Sequence, residues 1–166
     1  AALRDKFADD RRTKVVKSAI DKMTTEDLIP NEAAIITMTH DGYIKRVDPE
    51  NFKTQSRGGK GVMGLTTKEQ DEVKFFFTTN THADLMFFTS RGRGFQLKAY
   101  EVPPQSRTAK GQNIVNFLQL SPEEKVSSVL QSEDFDAFKY FVMVTKNGII
   151  KRTEVSQFAN VRRSGL

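Results

Sequence analysis

Seven residues, Gln55-Ser56-Arg57-Gly58-Gly59-Lys60-Gly61, hold three glycines and two cations with no acid among them. Glycine carries no side chain to hold a ligand away. Such a loop can bring its N–H groups up to a phosphate while Arg57 and Lys60 neutralise it. The same composition also describes a Gly-rich turn with two solvated charges, so the rest of the chain has to decide. Nucleotide chemistry fails on context. Gly59-x-Gly61-x-x-Gly64 matches a dinucleotide fingerprint as a string, but Leu65-Thr66-Thr67 and a charged stretch follow where a helix is required. A P-loop would need Ser or Thr after Lys60. His40 and His82 are the only histidines and there is no cysteine. Both histidines are expected in exposed turns, a poor metal set. No Ser/His/acid order and no acid pair stands out, so no catalytic residue is assigned.

The cations follow a pattern. Thr39-His40-Asp41-Gly42-Tyr43-Ile44-Lys45-Arg46 returns as Thr89-Ser90-Arg91-Gly92-Arg93-Gly94-Phe95-Gln96 and again as Thr145-Lys146-Asn147-Gly148-Ile149-Ile150-Lys151-Arg152. Each copy reads as an apolar strand ending in Thr, two polar residues, Gly, and a strand leaving with cations. Asp-Gly and Asn-Gly are hairpin signals there. Arg57-Gly58-Gly59-Lys60-Gly61 itself returns as Arg107-Thr108-Ala109-Lys110-Gly111. Lys and Arg are in surplus over residues 39–61, 86–111 and 139–163, and acids over 62–85 and 112–138. One basic pair is usually a solvated face. Lys45 with Arg46, Arg91 and Arg93 with Lys98, and Lys151 with Arg152, at equivalent places in a repeat, form a stripe that can follow a phosphate backbone. Arg107 and Lys110 join it through the repeated loop.

The elements that must position these residues are short strands. Runs rich in Phe, Ile, Val and Thr, bounded by Gly, Asn, Asp or Pro, predict strands at 33–39, 43–47, 62–65, 73–79, 85–89, 95–102, 114–118, 126–130, 140–145 and 149–153. Phenylalanine is plentiful, at thirteen residues; Phe75-Phe76-Phe77 and Phe87-Phe88 lie within such runs rather than among the cations, and core packing is expected of them. A period of about fifty residues with roughly four strands each suits the blades of a propeller-like ring. An ordinary β-sandwich is the alternative. The expected division is a helix end and linker over 1–32, then blades over about 33–83 and 84–138 and the start of a third over 139–166. Leu3 and Phe7 fit the last turns of a helix; residues 15–23 fit a short helix or a broken strand, and Thr24–Asn31 reads as a loop. Open blades expose sheet edges, so the ring is expected to be incomplete and the chain a fragment. No stretch has the length of a membrane span or the form of a signal peptide, and the expected setting is cytoplasmic.

The assembled motifs resemble the C-terminal domain of bacterial DNA gyrase A, part of a type IIA topoisomerase. Phe7–Thr13 resembles that family's exit from its cleavage region, and Glu26–Pro30 with Thr39–Arg46 the start of its first blade. Lys98–Pro103, Ser106–Gly111 and Ile114–Asn116 resemble the second. Gln55–Gly61 corresponds to the signature loop QRRGGRG, with Ser56 and Lys60 where Arg is usual. Lys60 keeps the charge without Arg's bidentate fork. The resemblance implies a β-pinwheel that wraps duplex DNA around a basic rim in support of negative supercoiling. It also implies the rest of gyrase A, together with gyrase B, as partners. ATP and Mg²⁺ would act elsewhere in the holoenzyme, with no cofactor in this chain. The alternatives are the matching domain of topoisomerase IV, binding DNA without wrapping it, and a propeller-like protein-interaction module.

Overall fold

Alternation of β-branched and aromatic residues with polar ones drives the chain into short antiparallel strands. The computed structural model describes residues 25–52, 71–159 and 161–166. Among these described residues, one helical turn, α1 (Thr25–Leu28), precedes nine strands: β1 (Ala33–Thr39), β2 (Tyr43–Val47), β3 (Val73–Asn80), β4 (Asp84–Thr89), β5 (Gly94–Lys98), β6 (Gln112–Asn113), β7 (Val126–Ser132), β8 (Tyr140–Val144) and β9 (Ile150–Glu154). They form three sheets, in the orders β3-β1-β2-β6, β5-β4-β7 and β8-β9.

The repeat seen in the sequence is a repeat in space. The first hairpin pairs Ile35 with Val47 through Met38 with Ile44. The second pairs Asp84 with Lys98 through Phe88 with Gly94, and the third Tyr140 with Glu154 through Val144 with Ile150. At every turn the glycine N–H donates to the carbonyl of the threonine: Gly42 to Thr39 at 3.1 Å, Gly92 to Thr89 at 3.0 Å, Gly148 to Thr145 at 2.9 Å. The N–H of the next residue donates to the same threonine's Oγ1, from Tyr43 at 3.1 Å, Arg93 at 3.2 Å and Ile149 at 3.1 Å. The three glycines hold φ of +85°, +76° and +80°, a region that side chains penalise. The pairing with the third strand of each of the first two units is bulged at the same threonine, Thr39 or Thr89. A short 3₁₀ turn follows each second strand, at Pro49–Asn51, Ala99–Glu101 and Val155–Phe158.

The sheets stack face to face, and β4 shows how. Its successive side chains point to opposite faces. Leu85 and Phe87 join Ile36, Met38 and Ile44 of the first sheet in one apolar cluster, with Phe95, Ala99, Val102, Ile114, Leu118 and Val126. Met86 faces the other way, into a cluster with Phe141, Val155 and Phe158. There Phe141 meets Phe158 edge to face at 5.2 Å and Phe88 at 5.9 Å. The middle sheet is thus buried on both sides, and each large side chain so enclosed contributes about 1.5–3 kcal/mol of transfer free energy. On the third sheet Val142, Val144 and Ile150 remain exposed, and the sheets do not close into a ring among the described residues.

Three expectations need correction. Thr25–Leu28 is a helical turn rather than loop, with Pro30 ending it. The strand expected over 95–102 stops at Lys98, where Glu101 accepts the Lys98 N–H at 2.8 Å and the chain turns. Ile114–Asn116, expected as strand, is a 3₁₀ turn: the Asn113 side chain accepts the Val115 N–H at 3.2 Å, and the buried Ile114 and Leu118 share one helical face. The expected strand at 62–65 and the readings over residues 1–24 lie outside the described residues.

Candidate nucleic-acid interface

The first sheet ends in a strand it does not own. After the 3₁₀ turn at Ala99–Glu101, the second unit sends a segment back over β2. The Arg46 N–H donates to Pro103 O at 3.2 Å and the Gln105 N–H to Arg46 O at 2.9 Å. The segment then turns, and β6 pairs antiparallel with β2, Gln112 beside Ile44 and Asn113 beside Tyr43. Gly111 makes the approach possible. It has φ +90°, and a Cβ there would stand 2.6 Å from the Ile44 carbonyl oxygen.

The next unit repeats the move. Gly94, which occupies in β5 the place Ile44 has in β2, exchanges two hydrogen bonds with Leu166, each at 2.9 Å. Gly165, with φ +82°, lies against the Phe95 ring, where a Cβ would come within 2.8 Å. Gly111 and Gly165 are therefore equivalent, and the stretches 107–111 and 161–165 are the same returning loop in successive units. Counting back from these glycines gives Arg107 and Lys110 in one loop and Arg162 and Arg163 in the other.

Several expected members of the basic stripe are engaged with protein groups. Lys45 is 1% exposed. Its ammonium donates to the carbonyls of Ala109 at 2.9 Å, Ser106 at 3.4 Å and Arg107. Burial pulls its pKa down, with the neighbouring Arg107 charge adding to the effect. Arg46 is half-buried and donates from Nε to Val102 O at 3.1 Å.

Arg93 spends its guanidinium on protein. Nε meets Glu124 Oε1 at 3.0 Å, Nη1 the Ser164 carbonyl at 2.8 Å, and Nη2 the Gln119 carbonyl at 3.1 Å together with the second Glu124 oxygen. The Glu124 carboxylate is enclosed, and also accepts from Thr89 Oγ1 at 2.5 Å and the Ser121 N–H at 2.9 Å. The hydrogen bond from Arg93 leads the causes that bring its pKa down to about 2; burial opposes, and the Thr89 and Ser121 donors assist.

Lys98 bridges Glu26 and Asp84, each at 3.3 Å. Burial alone would lower its pKa, but the two carboxylates outweigh it and the ammonium is raised. His82, expected in an exposed turn, is half-buried beside this pair, with Nε2 at 2.7 Å from the Ile29 carbonyl oxygen. Lys45 is thus enclosed, while Arg93 and Lys98, with side chains 29% exposed, are paired with protein carboxylates.

Other cations are presented to solvent. Arg91 is exposed and donates to Pro122 O at 3.2 Å. Lys151 and Arg152 are exposed on β9, with Arg152 stacked 4.5 Å from the Tyr140 ring centre. In the returning loop Arg107 is half-exposed and the Lys110 ammonium rests 3.7 Å over the Tyr43 ring. Arg162 and Arg163 are exposed as well. Sequence reasoning passes over this last pair, although Arg162-Arg163-Ser164-Gly165 carries the cations-then-glycine signal that marks 57–61 and 107–111. Gln55, Arg57, Gly58, Gly59, Lys60 and Gly61 lie outside the described residues. Among the described residues no three His, Asp or Glu side chains converge as a metal set, and no helix is long and apolar enough to cross a membrane.

The chain matches the family described as "DNA gyrase C-terminal domain, beta-propeller" over residues 33–80, 83–133 and 139–166. The chain belongs to the DNA gyrase C-terminal domain family. The DNA gyrase A chain of Clostridium acetobutylicum is 46% identical over 164 residues, covering 99% of this chain and 20% of that relative. This chain thus spans about a fifth of the length of the relatives it matches. Among solved structures, the C-terminal domain of DNA topoisomerase IV superposes with a TM-score of 0.68 at 29% identity, over 83% of this chain and 42% of that one. The DNA gyrase A C-terminal domain superposes with 0.63 at 27% identity, over 81% and 42%. In this gyrase-family chain the three matched segments hold β1–β3, β4–β7 and β8–β9, with β6 of the second segment completing the first sheet.

Proposed function

We propose that this chain is a sequence-tolerant, non-catalytic duplex-DNA-binding segment of gyrase A that wraps DNA along its cationic edge. The observation that carries the reading is the equivalence of the returning loops. Arg107 and Lys110 lie four and one residues before Gly111, and Arg162 and Arg163 three and two before Gly165, so each loop carries two cations just ahead of a glycine in the same backbone state. A cationic loop repeated once per unit sets phosphate contacts at a fixed spacing along a curving edge. In sequence, Arg57-Gly58-Gly59-Lys60-Gly61 is the counterpart of Arg107–Gly111 and would add Arg57 and Lys60 to the same set of contacts. Exposed Arg91, Lys151 and Arg152 add charge beside the loops.

Wrapping requires many contacts, because bending a short duplex costs on the order of 1–6 kcal/mol. Contacts of this kind read phosphate and leave base edges unread. In the holoenzyme the bent segment would be handed on for strand passage, with gyrase B, ATP and Mg²⁺ acting outside this chain, in the cytoplasm.

The test is the salt dependence of binding to plain duplex DNA, measured by fluorescence anisotropy on the full-length protein. About five phosphate contacts give a slope of log affinity against log salt near −4 to −5. Arg107→Gln and Lys110→Gln are each expected to flatten it by about one. An unchanged slope in both removes the loop from the interface. The topoisomerase IV structure at TM-score 0.68 favours a second reading, DNA binding without wrapping. A holoenzyme that relaxes plasmid but introduces no negative supercoils would select it.

A further inference from the structure

Lys45 is a cation that the DNA-binding reading does not use. It lies in β2 opposite Thr37, 1% exposed, in a strand whose neighbours Ile44 and Val47 are apolar core. Enclosing an ammonium is costly unless polar groups replace its water. Here carbonyl oxygens of one short turn do so, those of Ser106, Arg107 and Ala109. The turn itself is closed by the Ala109 N–H on the Ser106 carbonyl at 3.2 Å. With its carbonyls turned inward onto Nζ and Gly111 flat against the Ile44 carbonyl, the loop has a defined inner side. Arg107 is left half-exposed, and Lys110 rests on the Tyr43 ring. The following unit has Phe95 where Lys45 stands, and its loop is held differently, by Arg93 donating to Ser164 O at 2.8 Å and by Gly165 on the Phe95 face.

We propose that Lys45 is a positioning residue for phosphate contact: its buried ammonium gathers the carbonyls of 106–109 and so holds Arg107 and Lys110 at the angle from which they meet the DNA backbone. The inference rests on the reading of the returning loop as a DNA contact. It assigns to one internal side chain the geometry of two external ones. A neutral side chain of similar length cannot gather carbonyls, so the loop is released while β1, β2 and β3 keep their ladder.

The experiment compares wild type, Lys45→Met, the double variant Arg107→Gln/Lys110→Gln, and the triple combination in the full-length protein. Two readouts are taken, amide hydrogen exchange over residues 105–113 and the salt slope of duplex binding. Lys45→Met is expected to speed exchange in the loop by about tenfold or more while leaving β1 and β4 protected. It is also expected to flatten the slope by about two, as the double variant does, with the triple variant no flatter than either. A role confined to stability would lower the melting temperature without altering the slope, and that result overturns the proposal. So does unchanged exchange in the loop. Should Lys45→Met fail to fold, Gly111→Ala lifts the same loop off Ile44 and must reproduce the loss of slope; a wild-type slope in that variant overturns the proposal equally. If the wild type itself binds no DNA, the functional reading falls, and the exchange readout still decides whether Lys45 holds the loop.

Discussion

At the scale of single residues, the charges divide by what they face. Glu124 carries the most displaced titration, with its pKa held near 2 by Arg93, Thr89 and the Ser121 N–H. Its ordinary value is 4.5, so the folded state binds this proton more weakly than the unfolded chain does. The stabilisation is therefore complete above about pH 4.5 and is lost as pH falls toward 2. Thermal melts of wild type should drop across that window. Glu124→Gln is expected to melt lower at pH 7 and to lose this part of the acid dependence. Equal melting temperatures at pH 7 would show that the carboxylate contributes nothing. Lys98→Gln should leave the salt slope of DNA binding unchanged within about half a unit, since that cation already answers two protein carboxylates. A slope flattened by about one would return Lys98 to the interface.

Elements show what a sequence discloses and what it withholds. The hairpins are legible because Thr-x-x-Gly states its own geometry: the glycine takes a positive φ and the threonine hydroxyl caps the next N–H, all within five residues. Strands 33–39 and 43–47 can be read to the residue for that reason. Ile114–Asn116 defeats the same reading because its apolar residues fit a strand as well as a buried 3₁₀ turn, and the Asn113 cap that decides is one side-chain hydrogen bond. The inward fate of Lys45 is not legible at all. Its neighbours in sequence look like those of a surface pair, and the carbonyls that receive it lie some sixty positions later. Arg93 misleads in the same manner, since Glu124 is distant in the chain. The loop glycine offers a direct test at this scale. Gly165→Ala forces a Cβ within 2.8 Å of the Phe95 ring from a backbone state that already disfavours it. It should cost about 1–3 kcal/mol by chemical denaturation. A change below about 0.5 kcal/mol would mean that the returning loop of that unit carries little of the stability.

For the molecule as a whole, the middle sheet is the keystone of the stack, because β4 supplies alternate side chains to two clusters. Phe87, fully enclosed between the first and second sheets, is with Leu85 one of the residues through which they couple. Phe87→Ala is expected to cost about 3–5 kcal/mol, with both sheets losing amide protection together. Loss of protection in the second sheet alone would show that the sheets unfold independently.

A strand that completes its predecessor also has an evolutionary corollary. Neither of the first two units is a self-contained tile, since the border of each is woven by the one laid after it. Duplication or loss of repeats within such a chain preserves every seam only when the two breakpoints fall at matching phases of the fifty-residue rhythm. A cut at any other phase leaves one border bare and another doubled. Lineages built this way should vary in the number of repeats by whole periods, with the sites of recombination confined to the short connectors such as 80–83, where one tile hands over to the next.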